Sequence, residues 1–131
     1  MVLLDTSAIV EIFRSKAESA NFVRLVSEIG EEEVYISAIQ LAEISDWAIK
    51  NSLPPEQRID AVKELARMAP LDEQICLDAA AIKHRRRKDG YKDFGLIDGL
   101  ILATARSLGQ RLLTLDEDFV GEDDCLVISP L

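Results

Sequence analysis

Short apolar runs along the chain alternate with longer segments in which apolar residues have helical spacing. A run of about four to eight β-branched, leucine or aromatic residues is typical of a strand that is buried on both faces. Such runs predict strands at residues 2–5, 34–38, 111–115 and 126–129. Leu71 lies in a shorter stretch that fits a short edge strand.

The segments between these runs predict helices, because their apolar residues recur three and four positions apart. Hydroxyl caps, a terminal Gly30 and the pair Pro54 and Pro55 give the usual start and stop signals. The predicted helices run from Thr6 or Ser7 to about Arg14, over 17–29, up to about Lys50, from Pro55 to about Met68, and over 73–88 and 95–108.

This order of elements predicts an α/β fold. Near-continuous apolar strands separated by helices indicate a mainly parallel sheet covered on both faces, which is a three-layer α/β/α sandwich. The length of 131 residues is close to the commonest domain size, and no repeat, low-complexity tract or linker divides the chain. We therefore predict a single domain over residues 1–131.

Four acidic residues stand where apolar runs break or end. Asp5 and Asp116 close predicted strands, and Glu43 and Asp98 lie inside apolar helical segments. A carboxylate in apolar surroundings is costly unless it is paired, hydrogen-bonded or bound to a metal. No lysine or arginine is embedded in the same runs. A shared cation, and specifically a hard divalent metal ion, is therefore the best candidate partner.

The predicted fold brings these four side chains toward one place. In doubly wound parallel sheets, ligands bind beyond the carboxyl ends of the strands, where the strand order reverses. Asp5 and Asp116 follow strands at that edge, and Glu43 and Asp98 lie in or near the first turns of helices on the same side. Without a metal the four charges would repel each other. We therefore expect a bound metal to stabilise the fold and to be required for any reaction at this site.

Each acid also has an ordinary structural explanation. Asp5 fits a helix cap, Glu43 fits a solvated helix position, and Asp116 fits a polar turn. Asp98 is the hardest to explain in this way, because the helix around it is apolar on nearly every side and the adjacent Gly99 weakens that helix. Asp98 is therefore the strongest of the four candidates.

Other chemistries fit the sequence less well. The turn that starts at Asp116 matches a calcium loop at its first, third and sixth positions, but Val127 stands where the final glutamate is needed. The one histidine, His84, lies in a basic run, so a Ser-His-Asp triad or a histidine-based zinc site has little to build on. The chain has no glycine-rich phosphate loop.

The charge of the chain is polarised. A formal net charge of −9 argues against a protein that binds nucleic acid over its whole surface, but six of the 15 lysines and arginines lie within residues 83–92. This basic run fits either a solvated helix end that complements the helix dipole or a set of phosphate contacts for RNA. In the second case the phosphate contacts are Arg85, Arg86, Arg87 and Lys88, and Tyr91 stacks on a base.

Two features bear on the compartment. Cys76 and Cys125 lack metal-type spacing, and we expect two buried free thiols in a reducing cytoplasm, with a single disulfide between them as the alternative. The sequence has neither an apolar stretch of transmembrane length nor a basic-then-apolar leader. These features predict a cytoplasmic protein without a membrane partner.

The ordered set of acidic motifs resembles the PIN-domain family, and within it the VapC-type toxin ribonucleases. The parts that carry the resemblance are Leu4-Asp-Thr-Ser7, Glu43 on the helix after the second strand, Asp98-x-x-Ile-x-Ala-x-Ala105, and Leu113-Thr-x-Asp-x-Asp-Phe119. Each part is short, but together they cover essentially the whole chain.

The resemblance implies an endoribonuclease that uses Mg²⁺ or Mn²⁺ to cleave single-stranded or loop RNA. It also implies a homodimer and a small antitoxin protein as partner. Carried over by position, the catalytic metal ligands are Asp5, Glu43, Asp98 and Asp116. Asp118 is an auxiliary acid, and the hydroxyls of Thr6 and Thr114 support the ligands by hydrogen bonds.

Two other functions compete with this one. A receiver-like or phosphohydrolase domain would need adjacent acids after the first strand and a late lysine, whereas the chain has Asp5 alone there and no lysine after Lys92. A PIN-like module that binds RNA or protein without cleavage is the second alternative. Such a module has no chemical need for four intact acids.

Overall fold

The computed structural model describes residues 1–14 and 19–128, and each predicted strand has a counterpart there. The elements in chain order are β1 (Val2–Leu4), α1 (Thr6–Arg14), α2 (Ala20–Ile29), β2 (Val34–Ser37), α3 (Gln40–Lys50), α4 (Pro55–Leu65), β3 (Arg67–Ala69), α5 (Glu73–Lys88), α6 (Leu96–Ser107), β4 (Arg111–Thr114), a 3-10 turn (Glu117–Phe119) and β5 (Cys125–Val127).

The strands form one parallel sheet in the order β3-β2-β1-β4-β5. β1 is the central strand, with Val2 opposite Val34 of β2 on one side and Arg111 of β4 on the other. The strand order reverses at β1, because the chain moves outward through β2 and β3 before returning to the other side for β4 and β5. The crevice that such a reversal creates lies at the carboxyl edge, between β1 and β4.

The core has two parts, one on each face of the sheet. Val2 and Leu4 of β1 belong to a cluster that includes residues of α1, α2, α3 and α4, whereas Leu3 belongs to a cluster formed with α5 and α6. All three residues are fully buried, as expected where side chains of a central strand alternate between two covered faces. The predicted three-layer α/β/α architecture is therefore confirmed.

The edge strand β3 was misplaced by the sequence analysis. The fourth helix ends at Leu65 rather than near Met68, because Ala66 adopts an extended conformation. The next residues, Arg67–Ala69, pair with β2, and Leu71 lies beyond this strand. Two of the three β3 side chains are exposed, so the strand leaves no apolar run in the sequence.

Two predicted bounds reach beyond the described residues, at position 17 of the second helix and at Ser129 of the last strand. The described part of α2 begins after Ser19, whose hydroxyl accepts a hydrogen bond from the Phe22 N–H. Within the described ranges, no helix combines the length and apolar character needed to cross a bilayer.

The two cysteines are free thiols in different surroundings. Cys125 is half-buried on β5, but Cys76 is exposed on α5. The expectation that both thiols are buried was therefore wrong for Cys76, because this position lies on the solvent side of its helix.

Gly99 allows α6 to approach α5 closely. A Cβ atom at Gly99 would lie 2.5 Å from the carbonyl oxygen of Ala79 and 3.1 Å from its carbonyl carbon. These are backbone atoms of α5, so they cannot move aside as a flexible side chain would. Gly99 weakens α6 as an isolated helix, but it allows α6, which carries Asp98, to pack closely against α5.

We expect Gly99→Ala to destabilise the protein by a net of about 1–2 kcal/mol, since a clash with backbone atoms belongs in the upper half of the range for overpacking, about 2–3 kcal/mol, and alanine's helix propensity returns about 1 kcal/mol. Urea denaturation measures this difference. Gly95→Ala is a control, because a Cβ there meets only Asp98 Oδ2, at an ordinary 3.6 Å. A Gly99→Ala protein as stable as the wild type would contradict the importance of this close approach.

Candidate active site

Asp5 is the most buried of the four candidate acids and follows the central strand. Its side chain is 4% exposed, and its Oδ2 accepts hydrogen bonds from Ser7 Oγ at 2.8 Å and Thr114 Oγ1 at 2.7 Å. Burial raises the pKa of Asp5, although these two hydroxyls act in the opposite direction. The bond to Thr114 joins the ends of β1 and β4, where the strand order reverses.

Glu43 lies in the first turn of α3 and accepts a hydrogen bond on Oε1 from Thr6 Oγ1 at 2.6 Å. Gln40, at the start of the same helix, connects this helix to the ends of β1 and β2 by hydrogen bonds. Its Nε2 donates to the Leu4 carbonyl at 2.7 Å and to Thr6 Oγ1 at 3.4 Å, and its Oε1 accepts the Ser37 N–H at 2.7 Å. Burial raises the pKa of Glu43, and the Thr6 hydroxyl opposes that effect.

Asp98 caps the helix on which it lies. Its Oδ2 accepts the Gly95 N–H at 2.8 Å. Burial raises the pKa of Asp98 to about 7, and the charges of Asp5, Asp116 and Glu43 act in the same direction, whereas the Gly95 N–H opposes them. In the absence of a cation, Asp98 therefore exchanges a proton near neutral pH.

Asp116 follows β4 and is held by local hydrogen bonds. Its N–H donates to Thr114 Oγ1 at 3.0 Å, and its Oδ1 accepts the Asp118 N–H at 2.9 Å. Burial and the nearby Asp116 charge raise the pKa of Asp118. Asp118 does not line the cleft described below, so its backbone supports Asp116 from beside the site.

The four acids line one cleft of about 540 Å³ at the carboxyl edge of the sheet. Thr6 and Ser7 also line it, and Trp47, stacked on Phe13 with ring centroids 6.2 Å apart, forms part of an apolar wall. Among the described residues, no lysine, arginine or histidine belongs to the lining. The cleft therefore gathers negative charge from four separate elements without a basic side chain to balance it.

The donor chemistry of this cleft fits a hard divalent cation, which prefers carboxylate oxygen ligands. In the described part of the chain, however, no three His, Cys, Asp or Glu side chains are arranged to hold one ion together. Each acid is instead engaged by a hydrogen bond from the protein. Mg²⁺ is usually bound by one or two carboxylates and keeps several waters, so the acids suit it without forming a closed cage.

Without metal, we expect the protein to lose stability as the pH rises through about 7. The pKa of Asp98 is raised from 3.8 to about 7 in the folded state, so its contribution is complete below 3.8 and is lost as the pH rises through about 7. The pKa values of Asp5 and Glu43 shift in the same direction.

Thermal melts in EDTA on either side of neutral pH measure this dependence. Asp98→Asn, or an excess of Mg²⁺ over the wild type, is expected to flatten it. Glu122 does not add to this pH dependence near neutral pH, because its pKa is lowered and the stability that it contributes is lost only in acid. A wild-type protein whose melting temperature in EDTA does not fall with rising pH would contradict the shift.

The basic run lies at the carboxyl end of α5 and does not line the cleft. Arg85, Arg87 and Lys88 are exposed, but Arg86 is only 4% exposed and its guanidinium carbon lies 3.5 Å from the centroid of the Tyr91 ring. The prediction that Arg86 contacts RNA is therefore wrong, because this side chain is used inside the protein. One face of Tyr91 is covered by the same contact.

Several side chains at the site were not recognised from the sequence. Ser7 was considered as a helix cap and as the last residue of the Leu4-Asp-Thr-Ser7 motif, but no role at the site was predicted for its hydroxyl, which donates to Asp5 Oδ2 and accepts the Leu115 N–H. Gln40 and Trp47 were not predicted at the site at all. Gln40 had a usable signal, because it is a second polar residue within the apolar segment that contains Glu43.

Comparison with known proteins connects this site to a family. The family model for the PIN domain matches residues 2–121. Comparison with curated proteins gave no significant match.

Several solved structures have the same fold over nearly their whole length. A toxin-antitoxin complex from Klebsiella pneumoniae contains a chain with 22% identity and a TM-score of 0.77, with 100% of both chains covered. FitAcB from Neisseria gonorrhoeae has 28% identity and a TM-score of 0.68, with 99% of this chain and 98% of that chain covered. VapC20 from Mycobacterium tuberculosis, described as a Sarcin-Ricin loop cleaving toxin, has 16% identity and a TM-score of 0.65, with 93% of this chain and 92% of that chain covered.

Proposed function

This chain belongs to the PIN-domain family, and we propose that it is a metal-dependent endoribonuclease that acts as the toxin of a toxin–antitoxin pair. One observation carries the proposal. Carboxylates from four separate elements line one cleft, and the described lining of that cleft contains no basic side chain. Like charges gathered in one cleft favour the binding of a cation, and phosphodiester hydrolysis is chemistry that such a cation supports.

The residues of the chain divide into ligands and the groups that hold them. Asp5, Glu43, Asp98 and Asp116 would hold Mg²⁺ or Mn²⁺, which supplies charge neutralisation at a scissile phosphate and a water of lowered pKa. The protein fixes these carboxylates through hydroxyl and backbone donors before any ligand arrives. Hydrogen bonds around metal ligands set ligand orientation, so this preorganisation reduces the rearrangement that metal binding requires. The supporting donors are Thr6 for Glu43, Ser7 and Thr114 for Asp5, Gly95 for Asp98 and Asp118 for Asp116.

The proposed substrate is RNA in a single-stranded or looped form. The description of VapC20, a similar chain, as a Sarcin-Ricin loop cleaving toxin supports this choice. Arg85, Arg87 and Lys88 are exposed and offer phosphate contacts on an otherwise acidic protein. Binding of RNA would then weaken as the salt concentration rises.

We also propose a small antitoxin protein as partner, a homodimeric toxin and a cytoplasmic location. The antitoxin is supported by the similarity to a chain of a toxin-antitoxin complex. An antitoxin segment with a basic side chain would complement the acidic cleft. Light scattering of the purified chain, alone and co-expressed with the product of an adjacent short reading frame, measures both assemblies.

The test of the nuclease proposal is incubation of purified protein with structured and unstructured RNAs in Mg²⁺, in Mn²⁺ and in EDTA. We expect cleavage by the wild type only where a metal is present, and none by Asp98→Asn. Asp78→Asn is the matched control, because Asp78 is exposed on α5 and bonds there to Gln74 at 2.9 Å. It is expected to cleave as the wild type does.

Two outcomes would count against the proposal. Equal cleavage by the wild type and Asp98→Asn would indicate a contaminating nuclease. RNA binding without cleavage under every metal condition would instead support the alternative, a PIN-like binding module.

A further inference from the structure

Residues 115–124 connect β4 to β5 and form a segment that we call the acidic loop. It carries Asp116, which lines the cleft, and Asp118, which does not. Phe119 anchors the middle of the loop, because its ring is fully buried and packs edge-on against Phe94, with the centroids 5.3 Å apart. The Phe119 side chain thus fixes the middle of the acidic loop to the core.

Arg86 of α5 binds the backbone of this loop. Its Nη2 donates to the carbonyl oxygen of Asp118 and to that of Val120, the latter at 3.0 Å. The guanidinium carbon lies 3.5 Å from the centroid of the Tyr91 ring and 5.7 Å from that of Phe94. The side chain is therefore clamped between aromatic rings and loop carbonyls, with almost no exposure to solvent.

Glu122, at the far end of the acidic loop, balances this buried charge. Its Oε1 lies 3.5 Å from Arg86 Nε and 2.7 Å from Arg85 Nη2, and its Oε2 lies 2.9 Å from Arg106 Nη2. Burial acts to raise the pKa of Glu122, but hydrogen bonds from Arg106 and Arg85 outweigh it and lower the pKa. Glu122 is thus held as a charged partner between α5 and α6.

Two hydrogen bonds, both made by the backbone of Asp118, connect Arg86 to a carboxylate of the cleft. Arg86 binds the Asp118 carbonyl, and the N–H of the same residue donates to Asp116 Oδ1 at 2.9 Å. The backbone of Asp118 therefore lies between a buried cation and a carboxylate of the cleft. No other described side chain donates a hydrogen bond to either the Asp118 or the Val120 carbonyl.

We propose that Arg86 is a positioning residue, which fixes the acidic loop so that the Asp116 carboxylate stands at the cleft ready to bind a divalent metal. This inference rests on the proposed function for its metal, but the placement of the loop itself does not. An apolar side chain would fill the same space yet leave both carbonyls without a donor. A lysine would retain the charge, but one ammonium group cannot reproduce the planar fork or its stacking on Tyr91.

The test compares Arg86→Lys and Arg86→Met with Arg85→Met in the full-length protein. Arg85 pairs with the same Glu122, but it has no hydrogen bond to a loop carbonyl among the described residues. The first readout is the affinity for Mn²⁺ of the folded protein, measured by calorimetry. The second is amide hydrogen exchange of residues 115–124, which needs no metal.

We expect both Arg86 variants to bind Mn²⁺ about 10-fold more weakly, in the range seen for groups that orient metal ligands. Exchange in the acidic loop should be faster, and RNA cleavage should recover at saturating Mn²⁺. Arg85→Met should leave the Mn²⁺ affinity unchanged. A purely structural role would lower the melting temperature without changing the affinity of the molecules that remain folded.

Unchanged Mn²⁺ affinity in a folded Arg86 variant would overturn the inference. If the wild type neither binds Mn²⁺ nor cleaves RNA, the proposed function fails, and loop exchange alone then decides whether Arg86 positions Asp116. Exchange equal to that of the wild type would refute the positioning role. If neither Arg86 variant folds, Tyr91→Leu removes the ring under the guanidinium and is judged by the same two measurements.

Discussion

Asp5→Asn is expected to slow RNA cleavage strongly while making the metal-free protein more stable. Asp5 is 4% exposed, and burial raises its pKa, so its ionised form is disfavoured in the fold. An amide of the same shape removes that cost. We expect a melting temperature in EDTA that is higher by about 3–5 °C. We also expect cleavage to fall roughly 10²–10³-fold, as when one electrostatic contact to a transition state is lost.

The combination of the two changes is what tests the site. Thermal melts in EDTA and in Mg²⁺, together with RNA cleavage rates, measure them on the same preparation. The stabilisation that Mg²⁺ gives to the wild type should be reduced in Asp5→Asn. Asp60→Asn is the control, because Asp60 is exposed on α4. An Asp5→Asn protein that is less stable than the wild type in EDTA would show that the carboxylate has a structural role instead.

Glu122→Gln is expected to cause the largest loss of stability among single neutralising substitutions at the described acids. Glu122 is 8% exposed and balances Arg86, which is 4% exposed. Removing one partner of a buried ion pair leaves an uncompensated charge and costs about 3–5 kcal/mol. We expect a loss near 3 kcal/mol, at the lower end of this range. The reason is that the Arg85 and Arg106 side chains, which are 52% and 30% exposed, retain contact with solvent.

Urea denaturation with a two-state fit measures this loss. Glu117→Gln is the matched control, because Glu117 is exposed on the same acidic loop. It should change the free energy of unfolding by less than about 0.5 kcal/mol. A Glu122→Gln protein that unfolds at the wild-type urea concentration would show that the arginines find other partners.

The sequence predicted the sheet and the acids for the same physical reason. Buried strands and buried helices both leave apolar runs, and a carboxylate that interrupts such a run is visible, as Asp98 is in α6. The edge strand was predicted at Leu71 instead of at Arg67–Ala69, because β3 forms an exposed edge, where pairing needs backbone groups alone and leaves no apolar pattern. The position of Gln40 in an apolar segment indicated burial, but its role was missed because its partners lie at the ends of β1 and β2, which only the tertiary fold brings together.

The basic run shows a different limit. Arg85, Arg86 and Arg87 are consecutive, but neighbouring helical residues point about 100° apart, so only one of the three faces the protein interior. Chemistry alone does not distinguish them, because all three carry the same charge. The partner that buries Arg86 is Glu122, which lies 36 positions away and is brought close only by the tertiary fold.

The hydrogen bond between Asp5 and Thr114 joins residues that are 109 positions apart. A nascent chain emerges with its amino terminus first, so β1 and Asp5 are made long before the strand that completes their surroundings. Contacts of such long sequence separation also form late, because closing the intervening loop costs entropy. The cleft is therefore not assembled until nearly the whole chain has been translated.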